Sequence, residues 1–236
     1  MNYILIISNG YGEDLIAKQL CQSILNDHRK CIIMPVPLIG SGQAYQKIGL
    51  SPFIKNDMLP SGGFIRTLTE LILDIKAGLI KNHYKKHTQT IQLLKQKADA
   101  VICVGDIYAF WMGSRGANKP LFFLPTAKSD LFMPHSWFEK YLIKKWAKHV
   151  FPRDELTTKN LINDGIKAFF YGNPMMDRLV AKGINFKTIG DQNIVGILPG
   201  SRKEAIGNLE RILSVVTYLH EYHPNLGFMI ALAPQI

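Results

Sequence analysis

The sequence predicts an α/β protein, a doubly wound parallel sheet followed by the beginning of a second unit of the same kind. Short apolar runs recur at 3–7, 31–40, 98–106, 120–126, 149–155 and 168–173, each of a length suited to a buried strand. Helical patterns separate them, so the crossovers are right-handed and the sheet is covered on both faces. After a polar stretch, a strand–helix–strand pattern restarts at 194.

Each element has its own warrant. YILII (3–7) is a first strand, and DLIAKQLCQSIL (14–25) a helix with Leu15, Ile16, Leu20, Cys21 and Ile24 on one side. CIIMPVPLIG (31–40) is a second strand running into a loop. ADAVICVGD (98–106), PLFFLPT (120–126), HVFPRDE (149–155) and AFFYGN (168–173) are the third to sixth. FIRTLTELILDIKAGLIK (64–81) carries Phe64, Ile65, Leu68, Leu71, Ile72, Ile75 and Leu79 on one helical stripe. Residues 1–177 thus form an N-terminal Rossmann-like unit. The polar segment 178–193, without a clear period, reads as a linker. Residues 194–236 form an incomplete C-terminal unit: a strand at 194–199, a helix at 208–222 and a strand at 227–234.

Composition narrows the function classes. With 47% hydrophobic and 19% charged residues, the 236-residue chain can bury a large core and is not a disordered sequence. No apolar run approaches the length of a membrane span. The opening MNYILIIS lacks a basic leader and reads as a strand. Three cysteines, Cys21, Cys31 and Cys103, have no paired spacing, which suggests buried thiols in the cytoplasm. The formal charge of +10 calls for an anionic partner: a phosphorylated substrate, an anionic membrane surface or nucleic acid. No RNP, zinc-finger or helix-turn-helix pattern supports nucleic acid. The seven histidines are scattered without ligand spacing, so no metal site is expected, and there is neither a Walker loop nor a G-x-S-x-G.

Four stretches carry candidate chemistry. SNGYGED (8–14) has two glycines one residue apart after a strand, but Leu15 stands where a dinucleotide fingerprint needs a third. That fingerprint also requires an acid about 20 residues on, and the second strand ends MPVPLIG without one. Two readings remain: a tight strand-to-helix turn with acids favoured by the helix dipole, or a turn whose Asn9, Gly10, Gly12, Glu13 and Asp14 bind ligand hydroxyls. In VICVGDIYAFW (101–111), Asp106 closes a central strand, either as a helix cap or as a general base. LPGSRKEA (198–205) joins Gly200, an S-x-x-E capping box of Ser201 and Glu204, and Arg202, and favours a phosphate site at a helix N-terminus. YGNPMMD (171–177) reads as Asn173 capping a helix with Pro174 first, and places Gly172, Asn173 and Asp177 beside an interdomain cleft. WFEKYLIKKWAKH (137–149) mixes aromatics with four lysines, as the 64–81 stripe followed by KNHYKKH does, and both suit an anionic membrane surface.

Together SNGYGEDLIA, VGDIYAF, YGNPMMD and LPGSRKEA, in this order, resemble the lipid-A-disaccharide synthase family, most closely its synthase-related branch. The resemblance spans the chain from Asn2 to about Pro234. It implies a GT-B glycosyltransferase that moves an N-acetylglucosamine-type sugar from a UDP donor to a lipid-linked glucosamine phosphate. No metal or other cofactor is implied, and the work is done peripherally at the inner membrane face. On that reading 9–14 meets acceptor hydroxyls, Asp106 takes the proton of the attacking hydroxyl, and the 200–204 turn faces the donor diphosphate. The family's later nucleotide motifs do not precede Ile236. The expectation is therefore a fragment, a split half with a partner chain or a decayed frame, with little transferase activity alone. Two alternatives stand beside it: a UDP-N-acetylglucosamine 2-epimerase-like enzyme, which shares the GN-x-x-x-D crossover, and a non-catalytic module binding membrane or lipid phosphate.

Overall fold

A computed structural model describes residues 2–27, 30–54, 69, 72–73, 76, 84–179, 193–200 and 204–232. Two compact units are present, Met1–Leu179 and Val180–Ile236. The first contains a five-stranded parallel sheet in the order β2-β1-β3-β4-β5. Its strands are β1 (Asn2–Ser8), β2 (Cys31–Pro37), β3 (Ala100–Gly105), β4 (Leu121–Pro125) and β5 (His149–Val150). Its helices are α1 (Tyr11–Asp27), α2 (Gln43–Gln46), α3 (Lys85–Lys97), α4 (Ile107–Ser114), α5 (Trp137–Trp146) and α6 (Glu155–Asn163). The sheet is doubly wound, as the alternation of apolar runs and helical patterns predicts.

Side-chain alternation along the strands divides the core in two. Leu5, Ile7, Val36, Val101, Cys103 and Phe123 face one way, into a cluster shared with Ile91 and Leu94 of α3 and Ala109, Phe110 and Met112 of α4. Ile6, Ile33 and Val104 face the other way, against Ile16, Ala17 and Cys21 of α1 and Tyr45 of α2. Strands covered on both sides need continuous apolar sequence, which is why these runs read as strands without a polar alternation. The three cysteines are buried and free.

The edge beyond β4 is shorter than the sequence suggests. The run 149–155 gives only the two residues of β5, because Pro152 has no N–H for a ladder and Asp154 already caps α6 by accepting from the Thr157 N–H at 2.7 Å. The run 168–173 makes a single parallel bridge, Val150 to Ala168, and its Phe169 and Tyr171 stack on each other and meet Phe151 at a tilt. The second unit has β6 (Ile194–Ile197) paired in parallel with β7 (Gly227–Ile230) and the intervening α7 (Glu204–Tyr222). Most of the 64–79 stripe lies outside the described residues, as does most of the segment 178–193; of the stripe, Ile72 is described and exposed. No helix among the described residues is long and apolar enough to cross a membrane.

Candidate functional site

In a sheet of order 2-1-3-4-5, the chain winds one way from β1 to β2 and the other way from β3 onward, leaving a crevice beyond the C-terminal ends of β1 and β3. Two of the stretches singled out in the sequence, 9–14 and 105–108, occupy this switch point.

At the end of β1 the backbone turns sharply at Gly10, whose φ of 130° lies in the left-handed region that suits glycine. The Gly10 carbonyl then accepts from the Asp14 N–H at 2.6 Å, and α1 starts at Tyr11. Glu13 and Asp14 stand in its first turn, where the helix dipole favours negative charge. Their side chains part company. Asp14 is buried and accepts from Ser8 Oγ at 2.5 Å; Ser8 Oγ also lies 2.6 Å from Tyr45 Oη. Since Ser8 donates to Asp14, Tyr45 donates to Ser8, and a buried hydroxyl chain ends on the carboxyl group. Burial pushes Asp14 up to about 7, against the Ser8 hydrogen bond and with a contribution from the Glu13 charge. It drives the Tyr45 phenol well above its ordinary range too.

β3 ends at Gly105, with φ 133°, and a Cβ there would stand 3.0 Å from Asn9 Cβ and 3.2 Å from Glu13 Cγ. The absence of a side chain at 105 therefore lets the β1 loop close over the end of β3. The next residue, Asp106, is the N-cap of α4: its Oδ1 accepts from the Tyr108 and Ala109 N–H groups at 2.9 and 3.2 Å. Oδ2 takes no part in the cap. Burial raises the Asp106 carboxyl above the usual carboxylate value; the two capping N–H groups oppose the rise and the Glu13 charge adds to it. Asp106 is thus a cap and also a carboxyl of raised basicity at the switch point.

Thr126, just after β4, has no counterpart among the residues singled out in the sequence. Its N–H donates to the Gly105 carbonyl at 3.1 Å, and its own carbonyl accepts from Arg153 Nη1 at 3.1 Å. The side chain is buried, and its Oγ1 finds no hydrogen-bond partner among the described residues; neither does Asn9 Oδ1. A threonine after an apolar run carries no signal in sequence, because only the β3–β4 pairing brings it beside Gly105.

Gly172 is exposed with φ 103°, and Asn173 Oδ1 accepts from the Met175 N–H at 3.0 Å. The chain then makes a three-residue 3-10 turn, Met176–Arg178, rather than the α-helix expected there; Asp177 is exposed in it. Gly200 has φ 117° and precedes α7, whose Asn208 Nδ2 donates to the Pro199 carbonyl at 3.1 Å. Ser201 and Arg202 lie outside the described residues, as does the side chain of Glu204. Gly12 sits in the first turn of α1 with open space where its Cβ would be. No group of three or more His, Cys, Asp or Glu side chains suited to a metal ion occurs among the described residues.

Fold and site together define an α/β protein of GT-B-like type with a carboxylate-bearing switch point. No family model matches the sequence, and no curated protein sequence does either. Solved structures do. The Staphylococcus aureus MnaA–UDP complex superposes with a TM-score of 0.63 at 18% identity, over 99% of this chain and 62% of its own. The UDP-N-acetylglucosamine 2-epimerase of Neisseria meningitidis bound to UDP-N-acetylglucosamine gives 0.61 at 17%, over 98% of this chain and 66% of its own. Acinetobacter baumannii MurG gives 0.50 at 15%, over 100% and 69%. The chain therefore spans less than two thirds of the length of the first two.

These neighbours overturn the family and activity inferred from the motifs. The fold implied by the likeness to lipid-A-disaccharide synthase is present, but no synthase of that family is among these neighbours, most of which are UDP-N-acetylglucosamine 2-epimerases, and the lipid-A transferase reading is withdrawn. The reason is physical. SNGYGED and VGD are strand-to-helix turns, with Gly10 and Gly105 at positive φ and Asp106 as a cap. Such turns recur wherever this architecture recurs, so they report fold rather than chemistry.

Proposed function

We propose that this chain belongs to a UDP-N-acetylglucosamine 2-epimerase-like protein and supplies the sugar-facing part of its site. The observation that carries the reading is Asp106, a half-buried carboxyl of raised basicity whose Oδ2 is left out of the cap, beside Glu13 at the switch point. Inverting C2 breaks the C2–H bond, and the electron pair left behind expels UDP from C1 to give a C1=C2 double bond; UDP then returns to C1 as a proton is added to the opposite face of C2. The sequence needs no oxidant and no second substrate. A carboxyl group held above its ordinary pKa is suited to taking the C2 proton as UDP leaves. In this proposal Asp106 transfers the proton and Asn9, Gly10 and Glu13 meet sugar hydroxyls, while Asp14, turned inward to Ser8, holds the loop. Residues 200–204, with Ser201 and Arg202, are proposed on their sequence alone as a phosphate-binding segment. Neighbours with UDP or UDP-N-acetylglucosamine bound support a UDP-sugar as ligand.

Calorimetric titration tests the ligand class. Binding of UDP-N-acetylglucosamine tighter than of UDP alone is expected; binding of neither ends the proposal. A second property is favoured by the surface of α5. Trp137, Phe138 and Tyr141 are exposed there, and Lys144 and Lys145 are exposed one turn on. We propose that this face rests on an anionic membrane surface, which also gives the net charge a role.

A further inference from the structure

Resting on the epimerase-like reading, we propose that Thr126, together with Asn9, forms a hydroxyl-recognising pair that fixes the sugar ring against Asp106. Three adjacent parallel strands end here in the order β1-β3-β4, and each contributes one polar residue: Asn9, Asp106 and Thr126. The pair flanks the central one closely. Asn9 Cβ lies 3.0 Å from where a Gly105 Cβ would be, and the Thr126 N–H is bonded to the Gly105 carbonyl at 3.1 Å.

Both side chains have an oxygen with no partner among the described residues. Thr126 is 6% exposed, and neither its Oγ1 nor Asn9 Oδ1 accepts or donates a hydrogen bond. Buried polar atoms are paired in most proteins, so two orphans at one strand-end crevice call for a specific cause. The neighbouring network shows what a paired arrangement looks like: Ser8, Asp14 and Tyr45, equally buried, satisfy one another. Nothing comparable reaches Thr126. A sugar hydroxyl supplies both missing partners, since it donates to the Asn9 carbonyl oxygen and accepts from the threonine hydroxyl. The Thr126 main chain is already held from two sides, through Gly105 and Arg153, so side-chain rotation alone presents its oxygen to the ligand.

The geometry makes Thr126 a specificity and positioning residue. A site built to hydrogen-bond a hydroxyl rejects an analogue lacking it, because the buried partner is then left unpaired. UDP, which lacks the N-acetylglucosamine ring, does not engage the pair.

The test is calorimetric titration of wild type, Thr126→Val and Thr126→Ser with UDP and with UDP-N-acetylglucosamine, alongside thermal melting without ligand. Valine keeps the shape and removes only the orphan hydroxyl, so the ligand-free protein melts no lower than wild type. Its affinity for UDP-N-acetylglucosamine falls about tenfold, its affinity for UDP is unchanged, and serine restores sugar-nucleotide binding. Equal affinity of Thr126→Val and wild type for UDP-N-acetylglucosamine overturns the role of Thr126 while leaving the epimerase-like reading standing. A clearly lower melting temperature of Thr126→Val, with UDP weakened equally, assigns the hydroxyl to structure and overturns it too. Failure of wild type to bind either nucleotide removes the parent reading and this one together.

Discussion

Asp14 is held in a place where its charge is disfavoured, and this has a measurable consequence. Its carboxyl rises from 3.8 to about 7 on folding, so between those values the unfolded chain has released a proton that the folded one keeps. Stability from this group is therefore full below about pH 4 and is lost as pH rises through about 7. Asp14→Asn keeps an acceptor for Ser8 and has no charge to bury. Relative to this variant, wild type should lose roughly 4 kcal/mol between pH 4 and 8, read from denaturant melts at each pH. Equal pH slopes for the two proteins would contradict this account of Asp14. Asp106 separates cap from chemistry in a similar way. Asp106→Ala gives up the hydrogen bonds to Tyr108 and Ala109 and should cost about 1–2 kcal/mol, whereas Asp106→Asn keeps an oxygen there and should cost less than about 1 kcal/mol. Both should abolish epimerisation. The two aspartates were visible in sequence as acids after strands. Their different environments were not, because Asp14 depends on Tyr45, which lies far along the chain and arrives through β2 and α2.

At the scale of elements, the turns that join strand to helix carry the tightest constraints. Gly105→Ala would press a methyl on Asn9 and Glu13 at a φ of 133°, and should destabilise the protein by about 1–3 kcal/mol. It should also weaken sugar-nucleotide binding, which a melt and a titration on the same sample will show. On α5, Ser136 and Glu139 form a reciprocal capping box, with Lys128 Nζ 2.7 Å from Glu139. The membrane proposal is tested on the exposed side of the same helix. Co-sedimentation with phosphatidylglycerol vesicles but not with phosphatidylcholine vesicles is expected, and Lys144→Glu with Lys145→Glu should reduce it several-fold. Binding that ignores lipid charge would contradict it. Strand positions were legible wherever both faces are buried, as in β1 to β4. The edge was over-read because an apolar run such as AFFYGN looks the same whether its residues pair in a ladder or stack their rings.

Taken whole, the chain of apolar runs and helices was enough to give a doubly wound sheet, and the sheet order 2-1-3-4-5 then places a crevice at β1 and β3. The motifs do not distinguish among proteins of this architecture. Glycine turns and capping acids are demanded by the fold, and they accompany several chemistries of nucleotide sugars alike. Thr126 carries no signal in sequence for the same reason in reverse: its position after β4, not its neighbours in sequence, puts it beside Gly105. The most direct test of the central claim is proton NMR of UDP-N-acetylglucosamine incubated with the native protein in deuterated water, beside Asp106→Asn. The account predicts the C2 epimer and deuterium at C2 with wild type, and neither with the variant. An unchanged sugar nucleotide carrying no deuterium, in a protein that binds it, would contradict the epimerase-like reading.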